Sequence, residues 1–170
     1  MRPYYKLRDE LKTGDLLLYR SSSVLGWLIR MFSRANVNHA GLVIRLSEYG
    51  DLSDRRFTLE ALEGGIVLRI LSRRLRKFKG DVYWYPLQDQ FESYRNDIGA
   101  WALEKVGIQY DYGSLFKQAL CRVSADAEKF FCSEYSQIAY TECGIIEPLD
   151  YALTPGEMSG LGIFKAPRVL

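Results

Sequence analysis

The sequence predicts an α+β fold in which an antiparallel β-sheet or half-barrel packs against helices. Three observations carry that prediction. The first half of the chain holds short apolar runs parted by Gly- and Asp-containing turns. A serine-led segment with helical apolar spacing interrupts those runs once, and after Pro86 the period changes from strand-like to helical. At 170 residues the chain is long enough to bury a sizeable core, and it reads as a single domain over 1–170.

Taken in order, "GDLLLYR" (14–20) is a Gly-Asp turn followed by a buried strand. "SSSVLGWLIRMFSRA" (21–35) begins with N-capping serines and puts Val24, Leu25, Leu28, Ile29 and Phe32 on one helical face. "HAGLVIRL" (39–46) is a strand, and "EYGDLSD" (48–54) a polar turn with Gly50 at its tip. "RFTLEAL" (56–62) is the returning strand, followed by strands in "GIVLRI" (65–70) and "DVYWYPL" (81–87). Three helices then follow: 91–107, stopped by Gly107; 112–120; and 131–144, stopped by Gly144. The tail from Leu149, punctuated by Pro and Gly, wraps the surface.

Composition excludes several functions. A 48% hydrophobic content with 12 Tyr, 8 Phe and 3 Trp belongs to a folded chain. Net charge is only +2, so no nucleic-acid partner is expected. The N-terminal "MRPYYKLRDELKTGD" has no apolar core of a signal peptide, and no run is long enough to span a membrane, which predicts a cytoplasmic protein, the alternative being export by a route with no N-terminal signal. Three cysteines do not build a disulfide framework, and with one histidine and no C-x-x-C pair no metal site or cofactor is expected.

The chemistry concentrates on few residues. Cys121 and Cys143 read as small core residues, whereas Cys132 follows "EKFF" at the expected first turn of a helix, where free N–H groups favour a thiolate. A helix terminus supplies roughly 0.3–1 kcal/mol, against about 4 kcal/mol for a three-unit drop in a thiol pKa. Most of the activation must come from an imidazolium, and His39, in "NVNHAGLVI", is the only histidine in the chain. A ring in that role needs a third group to orient it. Pairing about a turn centred between Tyr49 and Gly50 puts Glu60, in "TLEAL", directly across from His39, with Glu63 and Glu134 as competitors.

The succession "GDLLLYR", "NVNHAGLVI", "LEA", "YDYGSLF" and "FFCSEYSQIAYTECGI" resembles the circularly permuted branch of the papain-like NlpC superfamily. The match is to its YiiX-like group, which is related to lecithin:retinol-acyltransferase-like proteins, and it covers roughly residues 14–146. In that branch the His strand comes first and the Cys helix last, as here. The resemblance implies a permuted papain-like (NlpC-type) fold with Cys132 as nucleophile, His39 as general base and acid, and Glu60 orienting the imidazole. It also implies an oxyanion-binding tyrosine, Tyr110 by position, beside the backbone N–H of Cys132; Tyr112 and Tyr19 compete for that role. Unpermuted relatives follow the nucleophile with Ser-Gly, whereas this chain has Ser133-Glu134.

The implied activity is cysteine hydrolysis of amide bonds, in cell-wall-type peptides or small peptide amides, through an acyl-enzyme. The partner is then a peptide or acyl small molecule. The alternatives are a lipid acyltransferase or thioesterase of the same fold and a non-catalytic binding module. Five Lys/Arg lie between Arg73 and Lys79; they read as a solvated loop between strands, the other reading being contact with an anionic membrane or cell-wall polymer. Trp27, Leu28, Met31 and Phe32 read as a helix face packed on the sheet, and Trp84 and Tyr85 as core.

Overall fold

The computed structural model describes residues 3–21, 37–47, 50, 54–62, 64–108 and 127–170, the last segment with backbone alone for 127–131. The order of elements is α1 (Tyr4–Leu7), β1 (Leu16–Ser21), β2 (His39–Ile44), β3 (Phe57–Leu62), β4 (Gly65–Ile70), α2 (Leu71–Lys77), β5 (Gly80–Tyr85), α3 (Arg95–Glu104), α4 (Ala127–Glu142), α5 (Pro155–Met158) and β6 (Arg168–Val169). The strands form one antiparallel sheet in the order β4-β3-β2-β1-β5-β6.

The run "LLLY" explains why this sheet is covered on both faces. Leu16, Leu17, Leu18 and Tyr19 are all fully buried, and successive side chains point to opposite sides. The even positions, Leu16 and Leu18, join Ala40, Leu42, Leu59 and Ala61 in a core with Ile98 and Ala102 of α3 and Cys132, Tyr135, Ala139 and Tyr140 of α4. The odd ones, Leu17 and Tyr19, join Val43, Val82 and Trp84 under Tyr4, Leu11 and the α2 residues Leu71 and Leu75. Trp84 is core, as its sequence context predicts, while Tyr85 is half-buried with its ring 5.9 Å from that of Phe164.

The expected strands are present, and four features differ from expectation. The basic run is no solvated loop: residues 71–77 form α2, because Leu71 and Leu75 share a helical stripe that buries against the sheet. The long helix expected over 91–107 is divided into a 3₁₀ segment, Asp89–Tyr94, and α3. The tail adds more than a surface wrap. Its β6 pairs with β5, and Leu153 and Met158 are buried in the main core. Finally, α4 begins at Ala127, not near residue 131, so Cys132 lies in its second turn. The helices expected over 21–35 and 112–120, with Trp27, Leu28, Met31, Phe32 and Cys121, lie outside the described residues. Among the described residues no helix is long and apolar enough to cross a membrane.

Candidate active site

His39 is the first residue of β2, at the margin of the sheet, and keeps 16% of its side-chain surface exposed. Its cross-strand partner on β1 is Tyr19, whose ring centroid is 5.3 Å away. The Tyr19 hydroxyl is hydrogen-bonded to Thr58 Oγ1 at 3.2 Å, and burial raises its pKa far above that of a free phenol. Its phenol is thereby engaged with Thr58 of β3, and its ring lies against the imidazole.

Glu60 meets His39, but by a different register from the expected one. Leu42 pairs with Leu59 and Val43 with Thr58, which carries Gly41 opposite Glu60 and leaves His39 two positions along the same face. A two-residue offset preserves the face, so the histidine and carboxylate still converge as diagonal neighbours, with His39 Nε2 2.8 Å from Glu60 Oε2. Gly41 makes the diagonal passable. A Cβ there would stand 2.9 Å from Thr58 Oγ1 and 3.1 Å from Glu60 Cγ, so the carboxylate stem lies over the glycine on its way to the ring.

Glu60 is fully buried and has a second partner that sequence reasoning missed. Arg74 Nε donates to Oε1 at 2.9 Å and Arg74 Nη2 to Oε2 at 3.0 Å, a bidentate pair. Burial is the strongest influence on this carboxyl and opposes its ionisation. The hydrogen bond and charge of His39, then those of Arg74, outweigh it and hold the pKa below the usual carboxylate range. A signal for Arg74 was present in "LSRRLRKF". Leu71, Leu75 and Phe78 recur at helical spacing, and Arg74 falls on that same inward stripe.

Cys132 reaches the site from the opposite face of the sheet. It is fully buried, and its sulfur accepts the backbone N–H of Ala40 at 3.4 Å. In the second turn of α4 it lies beyond the first-turn N–H groups that were expected to favour a thiolate. The imidazole takes over the electrostatic work. Burial is the largest influence on His39 and disfavours its charge. The charge and hydrogen bond of Cys132, followed by those of Glu60, prevail and raise it from 6.5 to about 9. With Nε2 committed to Glu60, Nδ1 is the nitrogen left for the sulfur. The site is thus a seam at the start of β2, where a carboxylate from one face and a thiol from the other meet one ring.

Tyr110, Tyr112 and Glu63 lie outside the described residues. Glu134 is half-buried with its pKa raised by burial, and it is not among the groups bearing on His39. Cys143 is half-buried at the end of α4 and packs against the main core, as expected of a small core residue. A cavity of about 670 Å³, lined by Lys12, Ile44, Arg45 and Arg95 among others, opens at the other end of β2 and includes none of Cys132, His39 and Glu60.

Residues 10–159 match the family model described as permuted papain-like amidase enzyme, YaeF/YiiX, C92 family. The chain belongs to the C92 family. It is therefore a member of a family of cysteine peptidases and amidases, with the permuted papain-like fold expected from the order of its elements. Among solved structures it is similar to the metalloprotein YiiX from Escherichia coli O157:H7, with a TM-score of 0.58 and 17% identity over 80% of this chain and 68% of that one, a likeness of fold. No curated protein sequence matches the chain. YiiX is described as a metalloprotein; among the described residues of the present C92 member, no three His, Cys, Asp or Glu side chains converge as a metal-ligand set.

Proposed function

We propose that the protein is a cysteine amidase acting through Cys132, His39 and Glu60 on peptide amides, of which cell-wall-type peptides and related small peptide amides are the favoured class. The observation that carries this reading is the 2.8 Å bond between His39 Nε2 and a fully buried carboxylate, on a ring whose charge the neighbouring sulfur favours. A cysteine sulfur beside an imidazole brings a nucleophile and a proton donor to one place.

In this mechanism the Cys132 thiolate adds to the amide carbonyl and forms the S–C bond. As the tetrahedral adduct collapses, the C–N bond breaks and His39 Nδ1–H protonates the departing amine. The neutral ring then takes a proton from water, whose oxygen attacks the thioester. The S–C bond breaks, the carboxylic acid leaves, and the thiolate–imidazolium pair is restored. Throughout, Glu60 holds the Nε2–H and balances the charge that the ring gains and loses. The oxyanion role proposed for Tyr110 rests on the family resemblance, and Tyr110→Phe is expected to lower kcat with KM little changed.

The test is the rate of iodoacetamide labelling at each cysteine between pH 5 and 9, read by mass spectrometry and paired with a panel of peptide amides, esters and acyl thioesters. Labelling of Cys132 well below pH 7, its loss in His39→Ala, and turnover of amides that Cys132→Ala abolishes support the reading. If all three cysteines react together only in alkaline solution, the Cys–His pair is refuted. Turnover confined to thioesters or lipid esters overturns the amide assignment in favour of acyl transfer.

A further inference from the structure

We propose that Arg74 is a positioning residue of this site. Its guanidinium, held over the rings of Tyr19 and Phe78, fixes both oxygens of the Glu60 carboxylate so that Oε2 meets His39. This inference rests on the Cys132–His39–Glu60 reading and adds to it a residue outside the triad.

The geometry separates Arg74 from its basic neighbours. Arg73, Arg76, Lys77 and Lys79 are exposed, whereas Arg74 keeps only 17% of its side-chain surface. Its Cζ stands 5.0 Å from the Tyr19 ring and 5.0 Å from the Phe78 ring, and those two rings meet edge to face at 5.3 Å. The guanidinium is therefore held by its aromatic surroundings before it touches the carboxylate. One of those rings, Tyr19, also lies against His39, so the arginine and the imidazole share a wall.

What Arg74 adds is the second point of attachment. The terminal torsion of a glutamate is broad, so a single hydrogen bond to a histidine leaves the carboxylate free to rotate. Glu60 Oε2 accepts from both His39 and Arg74, while the hydrogen bond to Oε1 comes from Arg74 Nε. Two anchors on a fork of fixed shape turn a flexible side chain into an oriented one. The titratable and charged groups facing the pair are Tyr19 from β1, Arg74 from α2 and Cys132 from α4, with Arg69 of β4 bearing on Tyr19. Of these, Arg74 alone is bonded to the carboxylate besides His39.

The test compares Arg74→Met, which keeps length and apolar contact, Arg74→Lys, which keeps charge without the fork, and Arg73→Met, which removes an exposed charge from the same helix. Alkylation of Cys132 is followed against pH. Because the chain has one histidine, the imidazole N–H proton resonance is also assigned without ambiguity. Arg74→Met is expected to slow alkylation at pH 6 roughly ten- to hundredfold. It is also expected to shift the acid limb to higher pH, since a buried carboxylate deprived of its cation takes up a proton sooner, and to lose the protected Nε2–H resonance. Arg74→Lys is expected to leave the limb in place while recovering only part of the rate; Arg73→Met is expected to match native protein. Should Arg74→Met not fold, Arg74→Lys carries the test through its slower alkylation.

Native rate, limb and resonance in the Arg74 variants overturn the positioning role and leave the triad intact. A native Cys132 whose reactivity ignores His39→Ala overturns both.

Discussion

Two carboxylates are buried among the described residues, each gripped by an arginine, and they behave in opposite ways. Asp15 accepts four donors: the backbone N–H of Lys12 at 2.9 Å and of Leu87 at 3.0 Å, the Trp84 indole at 2.8 Å and Arg95 Nη1 at 2.8 Å. Glu60 accepts from Arg74 and from His39. Burial raises the pKa of Asp15, with Arg95 opposing; at Glu60 burial pushes the same way and is outweighed. All four partners of Asp15 keep their protons at any ordinary pH, so its knot ties β1, β5 and α3 into one permanent arrangement. One partner of Glu60 titrates and has an edge in solvent. A buried ion pair becomes a working group when one of its donors can let go of a proton.

The comparison is broken most directly by removing that donor. His39→Ala is expected to lower amide turnover on the order of 10³-fold, as loss of a general acid–base does. Asp15→Asn, by contrast, leaves kcat per folded molecule within about threefold, if Asp15 serves the fold and not the chemistry. Turnover assays normalised to active-site titration decide it, and comparable kcat losses would dissolve the distinction.

Stability should rank the two sites the other way. Asp15→Asn leaves two of the four donors facing an amide NH2, each unsatisfied buried donor costing about 1–3 kcal/mol, and is expected to cost about 3–5 kcal/mol in urea unfolding. Glu60→Gln should cost less, because Arg74 keeps the amide oxygen and a neutral His39 can present a lone pair to the new NH2. A larger loss at Glu60 would contradict this account.

The pH dependence of stability sharpens the same contrast. His39 has a raised pKa in the folded state, so its contribution is fully present below the unfolded value of 6.5 and is lost as pH rises through about 9. That window carries on the order of 3 kcal/mol. The Tm is expected to fall between pH 7 and 9.5, and to fall less in Cys132→Ala, which lacks the sulfur charge that favours the imidazolium. Glu60, with its pKa lowered, contributes stability above the carboxylate range that is lost as pH falls. A flat Tm across the alkaline window would rule out the raised imidazole.

The smallest expected effect is at Gly41. Its replacement by Ala sets a methyl against the Glu60 stem and Thr58, at a cost of about 1–3 kcal/mol. Cys132 alkylation should slow as the carboxylate is displaced. An unchanged alkylation rate would show that Glu60 reaches the ring by a path that does not need the glycine.

Much of this was legible in the sequence because it depends on period. The strand alternation of residues 39–44 and 57–62 put His39 and Glu60 on one face, and face survives a register error of two even though pairing does not. The pairing itself depends on the 45–56 connection, whose centre the turn residues located one step too early. Arg74 was obscured by composition. Five cations in a short run look solvated, and only the Leu71, Leu75 and Phe78 stripe distinguishes the one that points inward. The place of Cys132 in α4 was misjudged because the preceding "AEKFF" continues the helix without a stop signal, moving its start to Ala127. The backbone donor to the sulfur, Ala40 N–H, depends on how α4 docks across β2, and no local pattern encodes that.

The sulfur and the N–H that it accepts are 92 residues apart in the chain. At roughly 5–20 residues per second, ribosomal synthesis therefore completes β2 about 5–20 s before it reaches Cys132. During that interval β1 to β5, the imidazole, Glu60 and Arg74 can assemble before Cys132 has been made. The newborn protein acquires its ring and carboxylate first and its sulfur last, so the Cys–His pair closes only after β1 to β5 have all been made.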